Sequence, residues 1–178
     1  AIEIRELKPH AVTLLATVPI SPWASGKLLQ LAEEGELEAW RFEQIRFSRL
    51  HEEIPDTELA VLLAAINTLN QGYISSIRIL SMRFLVAERH AHGPNEALCA
   101  AARVAIIQFI SAHRDESRSF QPHELEPILE GAFDISAPES EIKEITRLLG
   151  EGIGTYRLYA HELAPVITAL IKRHPELM

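Results

Sequence analysis

The amino-acid sequence predicts an all-α protein. Apolar residues recur at helical spacing through Thr57–Ala112, and helix start and stop residues punctuate the chain at Ser21-Pro22, Gly35, Pro55-Asp56, Gly72 and Gly93-Pro94-Asn95. In the first central segment Leu59, Leu62, Leu63, Ile66 and Leu69 share a face. The second carries Ile74, Ile77, Leu80 and Phe84 on one side, with Ile79, Met82 and Val86 on another. The third places Leu98, Ala101, Ala105 and Phe109 in one stripe, flanked by Ile106, Ile107 and Ile110. Helices apolar on more than one side must be covered on more than one side, so these three belong at the centre. The expected architecture is about seven or eight helices in consecutive antiparallel hairpins, as a compact bundle or a short HEAT-like array.

Each element has its own signals. Residues 1–20 read as weakly helical, with Pro9 in a first turn. Ser21-Pro22 then caps a helix whose inner stripe is Ala24, Leu28, Leu31 and Ala32, and Gly35 stops it. A helix over Glu36–Glu53 is expected to turn Leu37, Trp40, Phe47, Leu50 and Ile54 inward. Asp56 or Thr57 caps the first central segment, Gly72 divides it from the second, and Ser75 or Ser76 caps the second. Asn95 caps the third. Further helices are expected at roughly 122–132, 137–149 and 162–174. The middle one opens on the capping box Ser136-Ala137-Pro138-Glu139, packs through Ile142, Ile145, Leu148 and Leu149, and ends in a loop at Gly150, Gly152 and Gly154. Residues 153–160 alternate enough to allow a short strand.

A chain of 178 residues is long enough for one helical domain over 1–178. The polar run His113–Phe120 marks a candidate subdivision into a helical core, 1–116, and a C-terminal portion, 117–178. No apolar run approaches the roughly 18 residues of a membrane span, and the first twenty residues lack the pattern of a signal peptide. The opening Ala1 is compatible with processing, a tag scar or excision from a longer chain. Cys99 is the lone cysteine, which reads as a buried thiol in a reducing cytoplasm. A net charge of −8 argues against a nucleic-acid binder, which clusters Lys and Arg against phosphates.

Motifs for chemistry fail on spacing. His51-Glu52, His123-Glu124 and His161-Glu162 each have Pro where an HExxH zinc site needs its second histidine, so they read as exposed helix-end histidines. Ala24-Ser25-Gly26-Lys27 lacks the frame of a phosphate loop, and no Gly-x-Ser-x-Gly elbow occurs. No cofactor or metal is therefore expected. Glu88, Arg89, His90 and His92 form a candidate rim site, although Arg and His also suit a helix C-terminus through its dipole. HELEPIL at 123–129 and HELAPVI at 161–167 lie 38 residues apart, near the repeat length of helical solenoids. A third copy near residue 85 is missing, which leaves chance or a local Pro-bent helix as the simpler explanation.

One surface stands out. On the expected Glu36–Glu53 helix, Phe42 and Ile45 fall opposite Trp40 and Phe47, among Arg41, Arg46 and Arg49. Aromatic and arginine side chains together are enriched in protein interfaces. The Arg78, Arg83 and Arg89 series forms a second candidate surface, or supplies internal partners for the acids. The expected function is a non-catalytic protein–protein interaction or regulatory module, of the kind an acidic inhibitor or immunity protein provides. Its partner would be another protein, with self-association left open. The alternative is a helical small-molecule- or metal-binding domain, open to enzymatic activity, with its site between helices and groups such as Tyr73, Glu88, His90 and His92.

Overall fold

The computed structural model describes residues 5–19, 21–87, 95–112, 124–134, 137–155 and 163–177, and all regular structure among them is helical. A 3-10 helix, Arg5–His10, leads into α1 (Ala11–Ala16) and α2 (Pro22–Glu34). A second 3-10 helix, Ala39–Phe47, precedes α3 (Leu50–Glu53), α4 (Asp56–Ile66), α5 (Gly72–Ala87) and α6 (Glu96–Ser111). The chain closes with α7 (Glu126–Ala132), α8 (Glu139–Gly154), α9 (Ala164–Arg173) and the 3-10 turn Pro175–Leu177.

The sequence signals explain most of these boundaries. Ser21 Oγ accepts from the Ala24 amide at 3.2 Å, and Pro22 fills the first turn, where no amide hydrogen is missed. The predicted stripe Ala24, Leu28, Leu31 and Ala32 is the buried face of α2. Gly35 ends that helix at φ 67°, a left-handed conformation that favours glycine. Asn95 Oδ1 accepts from the Leu98 amide at 3.2 Å and starts α6. Gly72 divides α4 from α5 by close approach. A Cβ there would stand 1.9 Å from the Ile66 carbonyl oxygen.

The helices stack in two layers. In one, α2 packs on α4, α4 on α6 and α6 on α8; in the other, α1 packs on the Ala39–Phe47 helix, then α5, α7 and α9 follow. Contacts of α5 with α6 and of α6 with α7 join the layers around the Thr57–Ala112 core. Helices of the two layers largely alternate along the chain. The described parts of the two repeated words fall in the same layer. Pro127 and Pro165 occupy the first turns of α7 and α9, which are neighbours in one layer. Leu125 and Leu163 before them are buried, as are Ile128 and Val166. His113–Phe120, the candidate subdivision, lies outside the described residues, as do His123, His161 and Ser136.

Arginines tie the layers together. Arg103, 1% exposed, donates to Glu96 and Glu141 and to the Ala132 carbonyl oxygen, and so fastens α6 to α7 and α8. Burial alone would lower its pKa, but the hydrogen bonds to the two glutamates outweigh that and raise it. Arg83 joins α5 to Asp56 and to the His51 and Glu52 carbonyl oxygens. The reading of Arg78 and Arg83 as internal partners for acids matches these contacts; Arg89 lies outside the described residues. Cys99 is buried, and that burial pushes its thiol pKa up.

Several expectations need correction. Ser75 and Ser76 lie buried inside α5 and do not cap it, because the helix already starts at Gly72. Gly150, Gly152 and Gly154 belong to α8, because the stripe Ile142, Ile145, Leu149 and Gly152 keeps helical spacing and its burial outweighs the poor propensity of glycine. The strand allowed from Ile153 gives way to helix at 153–154, and residues 156–160 lie outside the described residues. His51 is not an exposed helix-end residue. It is buried, and its Nδ1–H donates to the Ser48 carbonyl oxygen. No helix among the described residues is long and apolar enough to cross a membrane.

Candidate functional site

The expected Glu36–Glu53 helix is the main departure, and it reverses the predicted surface. Residues Ala39–Phe47 form a 3-10 helix, and only Leu50–Glu53 is α-helical. A 3-10 helix has three residues per turn, so positions i, i+3 and i+6 eclipse on one face. Ala39, Phe42 and Ile45 have that spacing and are all buried. Phe42 and Ile45, expected at a partner surface, are 0% exposed and belong to the core. Trp40 and Phe47, expected inside from a period of 3.6, are 54% and 70% exposed.

Backbone conformation sets the limits of this segment. Glu38 and Ser48 are both extended, and Ser48 Oγ accepts from the Leu50 amide at 3.2 Å to begin α3. The segment lies between α1 and α5, so its solvent face is held by a packed scaffold. At about 2.0 Å rise per residue, Trp40 and Phe47 stand roughly 14 Å apart along the axis.

Each exposed ring carries a guanidinium. Arg41 lies 4.6 Å from the Trp40 ring centroid, and Arg46 lies 4.4 Å from that of Phe47. Other contacts hold both arginines in position. Arg41 Nη1 donates to the Pro9 carbonyl oxygen at 2.8 Å, and its Nη2 is 3.5 Å from Glu38. Glu38 also accepts from Trp40 Nε1 at 3.0 Å. Arg46 Nη1 lies 3.7 Å from Glu124. Arg49 is exposed, and the described residues offer it no ion pair. Of the five predicted surface residues, Arg41, Arg46 and Arg49 therefore reach the solvent side, while Phe42 and Ile45 anchor the segment beneath them.

A cleft of about 480 Å³ opens beside Trp40, between this segment and the start of α5. On its wall, Glu43 Oε1 accepts from Arg78 Nη1 at 2.9 Å and from Ser75 Oγ at 3.3 Å. Arg78 Nε donates to Glu124 at 3.0 Å. Burial works to lower the Arg78 pKa, but the hydrogen bonds to Glu124 and Glu43 raise it above the ordinary guanidinium value. This permanently charged network stiffens the base on which the aromatic pairs stand. Chemically, the face offers flat apolar rings, cations and hydrogen-bond donors, the groups of recognition.

Other predicted sites do not join it. Glu88, Arg89, His90 and His92 lie outside the described residues. Tyr73 is a core residue whose ring packs against Phe109 at 6.4 Å between centroids. Among the described residues, no group of three or more His, Cys, Asp or Glu is placed to hold a metal ion. The sequence reading missed Arg103 and did not name Glu43 or Glu124 as the partners of Arg78, because these pairs join residues distant in the chain. It also missed the outward turn of Trp40 and Phe47, although the Ala39, Phe42, Ile45 spacing of three was a visible signal for it.

No protein-family model, curated protein or solved structure matches the chain.

Proposed function

We propose that this chain is a protein-interaction module that docks a partner protein through the solvent face of the Ala39–Phe47 helix. One observation carries the reading: two exposed aromatic rings, each stacked by an arginine, on a segment whose burial needs are already met by Ala39, Phe42 and Ile45. Leaving Trp40 and Phe47 in water gives up about 1.5–3 kcal/mol of burial for a residue of the Phe class. Large aromatic and arginine side chains are also the residues that dominate binding energy at interfaces. Arg49, which has no ion pair among the described residues, adds a positive charge to the edge and suits a partner carrying an acidic residue there. A reducing cytoplasm suits the lone buried Cys99.

The test is affinity capture from cells of the source organism, comparing wild type with the Trp40→Ala/Phe47→Ala double variant. The expected result is loss of the captured partner with a melting temperature within about 2 °C of wild type, because both rings are exposed. A partner retained by the double variant would remove this face from the binding site.

A further inference from the structure

Between α2 and α4, on the outer side of their layer, lies a groove of about 410 Å³. Its walls include Pro22, Gly26 and Leu29 from α2, and Val61 and Leu62 from α4, with Ile54 just before α4. The two helices run the same way. A Cβ at Gly35, just past α2, would lie 4.0 Å from Leu69, just past α4. Val61 is 54% exposed, and Trp23, three residues before Gly26, is 59% exposed on the flank.

Gly26 is the informative residue. It sits inside α2 without a left-handed φ, and a Cβ added to it would meet no atom within 4 Å. Nothing in the fold requires glycine here, and glycine is among the poorest helix formers. What it does provide is a floor low enough for another backbone to approach closely. Pro22, Gly26, Leu29 and Glu33 share one stripe of α2 at helical spacing, so the floor extends along the helix and ends on a carboxylate.

The rim is acidic. Glu58 lines the groove, Glu33 continues the α2 stripe beyond Leu29, and Glu53 precedes Ile54 in the chain; all three are exposed, and none forms an ion pair with the described residues. Lys27 is the base nearby, and its ammonium donates to Gln30 at 2.9 Å. An apolar floor bordered by unneutralised carboxylates complements a helix with an apolar stripe and basic edges. We propose that the α2–α4 groove docks an amphipathic helix of a partner protein, with lysine or arginine beside its apolar stripe. This surface lies on the opposite layer from the Trp40–Phe47 face and does not depend on it.

The experiment uses the full chain carrying Trp40→Phe, so that Trp23 fluorescence reports alone. Two synthetic helical peptides are the probes, one leucine–lysine and one leucine–glutamate, each in amphipathic register. The leucine–lysine peptide is expected to saturate with a Kd on the order of 10 µM, and the leucine–glutamate peptide to bind at least about tenfold more weakly. Gly26→Leu fills the floor without touching the core, and should weaken binding about tenfold or more while the protein stays folded. Gly26→Ala is the milder second variant, expected to raise the melting temperature while lowering affinity several-fold. Failure of the leucine–lysine peptide to bind at about 200 µM would overturn the proposal. So would equal affinity in wild type and both Gly26 variants, which would mean charge attraction without the groove. Self-association of wild type in sedimentation, abolished by Gly26→Leu, would assign the groove to a second copy and equally overturn it.

Discussion

Phe42→Ala is expected to lower the free energy of unfolding by about 3–5 kcal/mol, the range for removing a buried aromatic side chain. Phe42 is 0% exposed and lies on the same 3-10 face as Ala39 and Ile45, between α1 and α5. Truncation would lose the transfer energy of the ring and leave a cavity where the segment meets the scaffold. Phe47→Ala, five residues on, should change stability by less than about 0.5 kcal/mol, because that ring is 70% exposed. Urea unfolding of the two variants reads the contrast directly, provided the m-value holds constant. A large loss in Phe47→Ala and a small one in Phe42→Ala would restore the α-helical orientation of the segment and remove the proposed binding face.

Gly72→Ala should be nearly as damaging. The new methyl carbon would stand 1.9 Å from the Ile66 carbonyl oxygen and 2.7 Å from its carbon, both backbone atoms that no rotamer change can move aside. The end of α4 and the start of α5 would have to separate, at a cost of about 3 kcal/mol or more, the upper part of the overpacking range. Gly150→Ala makes the matched control, since a Cβ there meets nothing within 4 Å and the residue lies inside α8. It should stabilise by about 0.4–1 kcal/mol through the entropy of the unfolded chain. Thermal unfolding of the pair should shift in opposite directions. A wild-type melting temperature for Gly72→Ala would show that α4 and α5 do not meet as closely as described.

These two contrasts mark where the sequence was legible. Period and punctuation placed α2, α4, α5, α6 and the three C-terminal helices, because Ser21, Gly35, Gly72 and Asn95 act locally and the apolar stripes are long. The Ala39–Phe47 segment was misread because a nine-residue 3-10 helix is uncommon. A period of 3.6 therefore took Trp40 and Phe47 for the inner face. Within α8 the opposite error arose, where glycine residues looked like a stop although the buried stripe ran on through Gly152. The partners of Arg78 and Arg103 depend on helices that sequence alone cannot bring together. The two-layer stacking was similarly hidden, since a single pair of repeated words gives little sign that α7 and α9 are neighbours.

The layers give the molecule two faces of different character. The Ala39–Phe47 side offers aromatic rings and arginines, while the α2–α4 side offers an apolar groove edged by carboxylates.

We propose that the 3-10 segment presents Phe47 and Trp40 to another protein. Site-specific photo-cross-linking tests it most directly, with a benzophenone amino acid placed at Phe47 in the full chain within its own cells. A discrete higher-mass adduct is expected from position 47, and none from the exposed control position Ser140 on α8. The same adducts from both positions, or none from position 47, would remove this face from partner binding.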